Sequence, residues 1–284
     1  MLEIRVSLYV TELLLENVYA QQVNLFWFVL ITKTNVRKPF QRLGERYLQR
    51  INMAKDKLKR WAENKTFPHV FEPNLMPIIR ENSTFMKGLW REEFYKNNNP
   101  LVVELGCGKG EYAVGQAQRN LDKNYLGIDV KGHRFHKGAK ESLEMGLTNV
   151  AFLRARIEFI DAFFADNELD EIWLTFSDPM PNDHDGNRRI TSGFYMKRYE
   201  RMLKSEGVVH IKHDNPALYE RALREIPLMG AEIVLNDDNI YESGFLETID
   251  EKLKDVLEIR TFYEQMWLKE GRKIKYIQAR MPKK

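Results

Sequence analysis

Glu104 stands two residues ahead of a glycine cluster, Gly106-Cys107-Gly108-Lys109-Gly110, and the cluster follows the apolar run Leu101 to Leu105. Glycines at alternate positions permit positive φ and let a ligand approach the backbone closely. A strand that enters such a loop and leaves as a helix puts it beyond a carboxyl edge, where open α/β sheets bind nucleoside-bearing cofactors. The spacing is G-x-G-x-G, whereas the dinucleotide fingerprint G-x-G-x-x-G would need glycine where the chain has Glu111. A carboxylate here repels a pyrophosphate and attracts a cation. The pattern therefore points to the sulfonium and amino groups of S-adenosylmethionine, held by Glu104, Gly106, Gly108 and Gly110. Asp129, closing Tyr125-Leu126-Gly127-Ile128-Asp129, is suited to accept both ribose hydroxyls, although NAD enzymes share that spacing. The plain alternative for the loop is an ordinary strand-to-helix turn, and Cys107 reads as a small loop residue rather than a nucleophile.

A second group follows the run Asp170 to Phe176: Ser177-Asp178-Pro179-Met180-Pro181, then Asn187-Arg188-Arg189. Taken alone, Asp178-Pro179 is a helix-capping turn, Arg188 and Arg189 a solvated pair, Asp214 a strand-end acid, and Thr261 to Glu264 plain helix surface. The single cysteine excludes an intramolecular disulfide and a cysteine-based zinc site. None of the six histidines sits in a recognisable metal pattern, so no metal is expected; His133 and His136 share a helix face as exposed polar positions.

The elements that must position these residues become regular from Pro100. Short β-branched and aromatic runs near 101–105, 124–130, 149–155, 169–176 and 208–214 alternate with helix-period stretches near 111–119, 133–145, 157–165, 192–203 and 216–226. A strand near 231–236, one long helix over 250–270 and a closing strand near 274–281 complete an α/β fold with a mainly parallel sheet of seven strands flanked by helices. The longest strongly apolar stretch, Val23 to Ile31, is far below the roughly 20 residues that cross a bilayer. No membrane association and a cytoplasmic location are expected.

The net charge of +3 divides unevenly. Residues 33–60 carry ten basic side chains against Glu45 and Asp56, residues 269–284 carry seven against Glu270, and the middle is acidic. Basic ends on an acidic body suit contact with a phosphate backbone, or are solvated tails. Residues 1–52 fit poorly with the remainder of the chain, and Met53 opens a compact basic run. The expected layout is an N-terminal extension over 1–52, outside the native protein if Met53 is the start, a basic arm and linker over 53–99, and a catalytic domain over 100–284.

With these motifs in order, residues 53–284 resemble the bacterial tRNA (guanine-N7-)-methyltransferase family. The likeness rests on the glycine loop, Ile128-Asp129, Asn149-Val150, the Ser177-Asp178-Pro179-Met180-Pro181 segment with its Arg188-Arg189-Ile190, Val208 to Asp214, and Thr261-Phe262-Tyr263-Glu264. The resemblance implies a Rossmann-like class I methyltransferase fold and transfer of a methyl group from S-adenosylmethionine to N7 of a guanosine in the tRNA variable loop. It implies cofactor contacts from Glu104, Asp129, Arg156 and Ile157, and a catalytic Asp178 at the junction of cofactor and base. Asn182, Arg188, Arg189, Asp214, Thr261, Phe262, Tyr263 and Glu264 would bind substrate. The chain departs from the family pattern at Ser177, Met180, Asn182 and Asp183-His184-Asp185, and carries Arg156 where many members have an acid. Guanine N7 already holds a lone pair, so alignment rather than a covalent nucleophile suffices. The competing readings are a methyltransferase acting on another RNA, a protein or a small molecule, a non-catalytic tRNA-binding scaffold, and an NAD-dependent oxidoreductase, the last disfavoured by Glu104 and Glu111. Monomer and homodimer both remain open.

Overall fold

The computed structural model describes residues 55–80, 85–180 and 189–283. Residues 59–284 form the second of the two units into which the chain divides. The extension expected over 1–52, and Met53 with it, lies outside the described residues. The second unit is built on one sheet: β1 (Val70–Phe71), β2 (Leu101–Leu105), β3 (Asn124–Asp129), β4 (Val150–Arg154), β5 (Leu169–Thr175), β6 (Leu203–His213), β7 (Glu232–Asp237) and β8 (Lys275–Arg280), in the order β1-β4-β3-β2-β5-β6-β8-β7. β8 pairs antiparallel with both β6 and β7, and the other pairs are parallel. The seven expected strands are all present, and the two-residue β1 extends the sheet at its β4 edge.

The central strands of the sheet are buried on both faces, which is why they read as continuous apolar runs. Leu101, Val103 and Leu105 enter one core with Leu126, Leu153, Phe163 and Tyr199. Val102 enters the other with Tyr112, Phe135, Phe152, Trp173 and Tyr276. After the helical residues 59–64, the α-helices are α1 (Leu75–Arg80), α2 (Glu111–Arg119), α3 (Gly132–Glu144), α4 (Gly193–Met202), α5 (Pro216–Leu228), α6 (Glu251–Leu257) and α7 (Phe262–Lys269). The described residues of 59–99 belong to the same unit as the sheet. Trp90 is fully buried and donates Nε1–H to the Phe163 carbonyl at 2.9 Å, with Phe71 packed edge-on against its ring. Aromatic burial of that kind ties them into the same compact unit.

Two expected helices differ. Residues 157–162 form a 3-10 turn with a kink at Phe159. The long helix over 250–270 is two helices, each with its own cap: the Asp250 side chain accepts from Leu253 N–H, and Thr261 with Glu264 forms a capping box. The reason for the break is Lys212. Its ammonium, wholly buried on β6, donates to the Leu257 and Ile259 carbonyls at 2.7 and 3.0 Å, just where α6 ends and leaves acceptors without helical partners. Glu264, equally buried, completes the shell 2.8 Å from Lys212 Nζ and accepts from Tyr241 O–H at 2.7 Å.

Removing one partner of a buried ion pair strands the other charge, at a cost of about 3–5 kcal/mol, whereas replacing both with apolar groups is often near neutral. Glu264→Ala should therefore lower stability by about that amount in urea unfolding, and Lys212→Met with Glu264→Leu should recover most of it. A loss below about 1 kcal/mol for Glu264→Ala would contradict this reading of the pair.

Candidate active site

The glycine loop is shaped by the two acids that flank it. Gly106, Gly108 and Gly110 all have positive φ, at 79°, 55° and 76°. A Cβ built on Gly106 or Gly108 would meet nothing within 4 Å, so these two border open space. At Gly110 a Cβ would lie 2.6 Å from the Phe152 ring, so this glycine serves the close packing of α2 rather than facing the opening. Gly110 is the N-cap of α2 and has no side chain to cap it. Glu104 supplies the missing acceptor from β2: its Oε2 takes the Ala113 N–H at 3.0 Å, and its Oε1 accepts from the Thr175 hydroxyl at the end of β5. Asp129 closes the loop from β3, accepting Gly108 N–H at 3.0 Å and Lys131 N–H at 2.7 Å.

Glu104 and Asp129 are both buried, and among the described residues neither has a Lys, Arg or His within ion-pair distance. Burial pushes the Glu104 carboxyl up to about 8, against the Thr175 and Ala113 hydrogen bonds, and the negative charge of Asp129 adds to the rise. Burial likewise lifts the Cys107 thiol, with Glu104 and Asp129 reinforcing it, which leaves that sulfur protonated and without nucleophilic character.

The loop after β5 carries Asp178, which is exposed. The backbone bends sharply on both sides of it, with Phe176 at φ 50° and Met180 at φ 39°, and Asp178 Oδ1 accepts Met180 N–H at 3.2 Å. His213 pins this loop. Its Nδ1 accepts Asn215 N–H at 2.8 Å, so Nε2 carries the proton and donates to the Ser177 carbonyl at 2.6 Å. Burial holds His213 in its neutral form, below the usual imidazole range, with the Ser177 carbonyl opposing. The Ser177 hydroxyl is buried without a hydrogen-bond partner among the described residues.

Opposite this loop α7 presents an aromatic surface. Phe262 and Tyr263 are each about half exposed, Tyr263 stacks against Trp267, and Trp267 lies 5.1 Å from the Phe176 ring. Lys109 from the glycine loop places Nζ 3.8 Å from the Phe262 centroid. Glu111 accepts Phe262 N–H at 2.9 Å, so it occupies the third-glycine position of a dinucleotide loop in order to hold α7 against α2.

Several expected binding residues take structural parts instead. Glu264 has no exposed surface and is saturated by Lys212, Tyr241 and Thr261 N–H, and Thr261 caps α7. The Asp214 carboxylate is 2.9 Å from Arg272 Nη1. Arg189 is buried and donates to the Met180 carbonyl at 3.1 Å, closing the Asp178 loop from behind rather than projecting outward. Arg156 is exposed and paired with Glu158 at 2.9 Å, and Ile157 is half-buried just beyond β4. Asn182 and Arg188 lie outside the described residues. The residues missed from sequence are Thr175, Lys212, His213, Trp267 and Arg272. A polar His210-x-Lys212 alternation inside an apolar strand was the available signal for an inward-facing charge.

Among the described residues there is no group of three or more side chains able to hold a metal, and no helix long and apolar enough to cross a membrane. The family described as "Putative methyltransferase" matches residues 98–277. The tRNA (guanine-N(7)-)-methyltransferase of Bacteroides fragilis is 43% identical over 231 residues, covering 81% of this chain and 87% of its own length. The protein of the same name from Christiangramia forsetii is 42% identical, covering 80% and 99%, and that from Lactococcus lactis subsp. cremoris is 31% identical, covering 73% and 92%. With the family model matched over residues 98–277 and relatives 42–43% identical across most of both chains, the chain belongs to the tRNA (guanine-N7-)-methyltransferase family.

Proposed function

We propose that the protein methylates N7 of a guanosine in the variable loop of tRNA, with S-adenosylmethionine as donor, in the cytoplasm. The observation that carries this is a glycine-lined opening bordered by two buried carboxylates with no cation beside them among the described residues. Such a site fits a cationic ligand and repels a pyrophosphate. Gly106 and Gly108 leave room for the ligand at the backbone, and the unpartnered Ser177 hydroxyl adjoins Asp178 in the chain. Glu104 and Asp129 would hold the donor's cationic and ribose groups, and the donor supplies an electrophilic methyl when bound.

The rest falls to this chain. Phe262 and Tyr263, half-exposed and set nearly perpendicular to one another, offer rings against which a purine can pack, and the Phe176–Trp267 contact sets the edge of that surface. Asp178 is exposed and oriented by the Met180 N–H, and its carboxylate would stabilise the positive charge growing on the purine ring. His213 acts on Asp178 only through the loop, by fixing the Ser177 carbonyl.

Incubation with labelled donor and tRNA lacking the modification should place label in 7-methylguanosine; label confined to another nucleoside would overturn the substrate. Glu104 provides a sharper measurement. With its pKa near 8 in the ligand-free protein, the carboxyl is mostly protonated at pH 7, and a bound cation favours the ionised form. Donor binding should therefore release a proton, and affinity should climb nearly tenfold between pH 6.5 and 7.5 before levelling above about 8. In Glu104→Gln, which keeps the shape and the acceptor for Ala113 N–H, affinity should fall and its pH dependence vanish. Calorimetry in buffers of different ionisation enthalpy reads both, and a wild-type affinity that is flat over this range would refute the role. Asp178→Ala should lower turnover about 10²–10³-fold, as loss of one oriented electrostatic group does elsewhere, with little change in donor affinity. The reverse pattern in single-turnover kinetics would reassign Asp178 to cofactor binding.

A further inference from the structure

A groove of about 540 Å³ opens beside the glycine loop, lined by α3, by Lys109 and by Arg60 on the helical residues 59–64. Its cations are Arg60, Lys109, Arg134, Lys137 and Lys140, against the carboxylates of Glu141 and Glu144. They are not equally committed. Lys137 is held by Glu111 at 3.0 Å and Glu141 at 3.5 Å, and Lys140 lies 3.6 Å from Glu63. Arg60 and Arg134 are exposed and, among the described residues, have no carboxylate within ion-pair distance, while the Lys109 ammonium sits against the Phe262 and Tyr263 rings. Three cations around one opening thus lack a counter-ion among the described residues.

The sequence pattern explains how they converge. Arg134, Lys137 and Glu141 recur every three or four residues, which aligns them along one face of α3. The opposite face carries Phe135 and Ala139, both fully buried. Lys109 links the groove to the aromatic surface of α7, since its ammonium sits over Phe262 while its stem lies in the glycine loop.

We infer that this groove is a phosphodiester track for the RNA substrate. The chain whose base packs against the Phe262 and Tyr263 rings passes its backbone by Lys109 and then along Arg134 and Arg60. Arginine suits this work, because its planar fork meets two phosphate oxygens at once, and backbone contacts of this kind position a nucleic acid without reading its sequence. The inference rests on the proposed RNA reading and adds the path that the RNA takes across the protein.

The test is Arg60→Gln with Arg134→Gln in the full-length protein, beside a control double variant of equal charge change, Arg224→Gln with Lys252→Gln. KM for unmodified tRNA should rise about tenfold at 0.1 M salt. The slope of log kcat/KM against log salt concentration should flatten by about 2, one per lost phosphate contact. Donor affinity and thermal midpoint should stay at wild-type values, and the control should behave as wild type. If wild-type protein methylates tRNA while both double variants share its KM and slope, the track is wrong and the proposed function stands. If wild-type protein binds donor but methylates no RNA, the function fails and the track with it. Loss of binding to phosphatidylserine vesicles in the Arg60/Arg134 variant, with KM for tRNA unmoved, would assign the groove to a membrane surface and overturn the inference.

Discussion

Two carboxylates buried beside one another with no cation in reach among the described residues are an unstable arrangement, and the site is built around it. Ionised Glu104 is disfavoured both by burial and by Asp129. The arrangement persists because each carboxylate has local work. Glu104 caps α2 in place of the side chain that Gly110 lacks, and Asp129 holds the loop through the Gly108 amide. Backbone amides can orient a carboxylate, yet they carry only partial charge. A full positive charge arriving in the opening is what remains to be satisfied.

The contrast with Lys212 and Glu264 shows that the cationless pair is not a general habit of this interior. On β6 the same sheet buries a lysine whose donors are engaged by Glu264, Tyr241, Leu257 and Ile259. Burial pushes the Lys212 ammonium down and Glu264 holds it up. The saturated pair fixes where α6 stops and α7 starts, and so fixes the aromatic surface opposite Asp178. One buried charge cluster is closed and structural, and the other is open on the glycine side.

Much of this was legible in the chain. Continuous apolar runs and glycine punctuation locate β2 and α2 at their observed bounds, because a strand buried on both faces and a helix opened by a glycine loop leave clear patterns. The break at 258–261 was obscured because apolar spacing continues across it, although Thr261-x-x-Glu264 is a capping-box signature that marks a helix start. Spacing also could not separate Gly106 and Gly108 from Gly110, since only the Phe152 ring in the folded protein distinguishes open space from close packing. Arg189 and Asp214 look like ligands in a linear reading because their partners, the Met180 carbonyl and Arg272, are set by loop geometry and by a residue 58 positions away.

The two electrostatic regions of the site have opposite sign and meet at a single side chain. Lys109 springs from the glycine loop between Gly108 and Gly110, so a turn inward would carry its ammonium toward Glu104 and Asp129 and neutralise the attraction for a cationic donor. The face of Phe262 gives that ammonium a competing place 3.8 Å from the ring centroid, a contact of about 0.5–1 kcal/mol at an exposed position. Glu111 secures the arrangement by binding the Phe262 amide and so keeping the ring beside the loop. The loop thus holds its own lysine away from its own acids. That separation lets one short segment present a negative interior to a positively charged donor and a positive rim to a polyanionic acceptor.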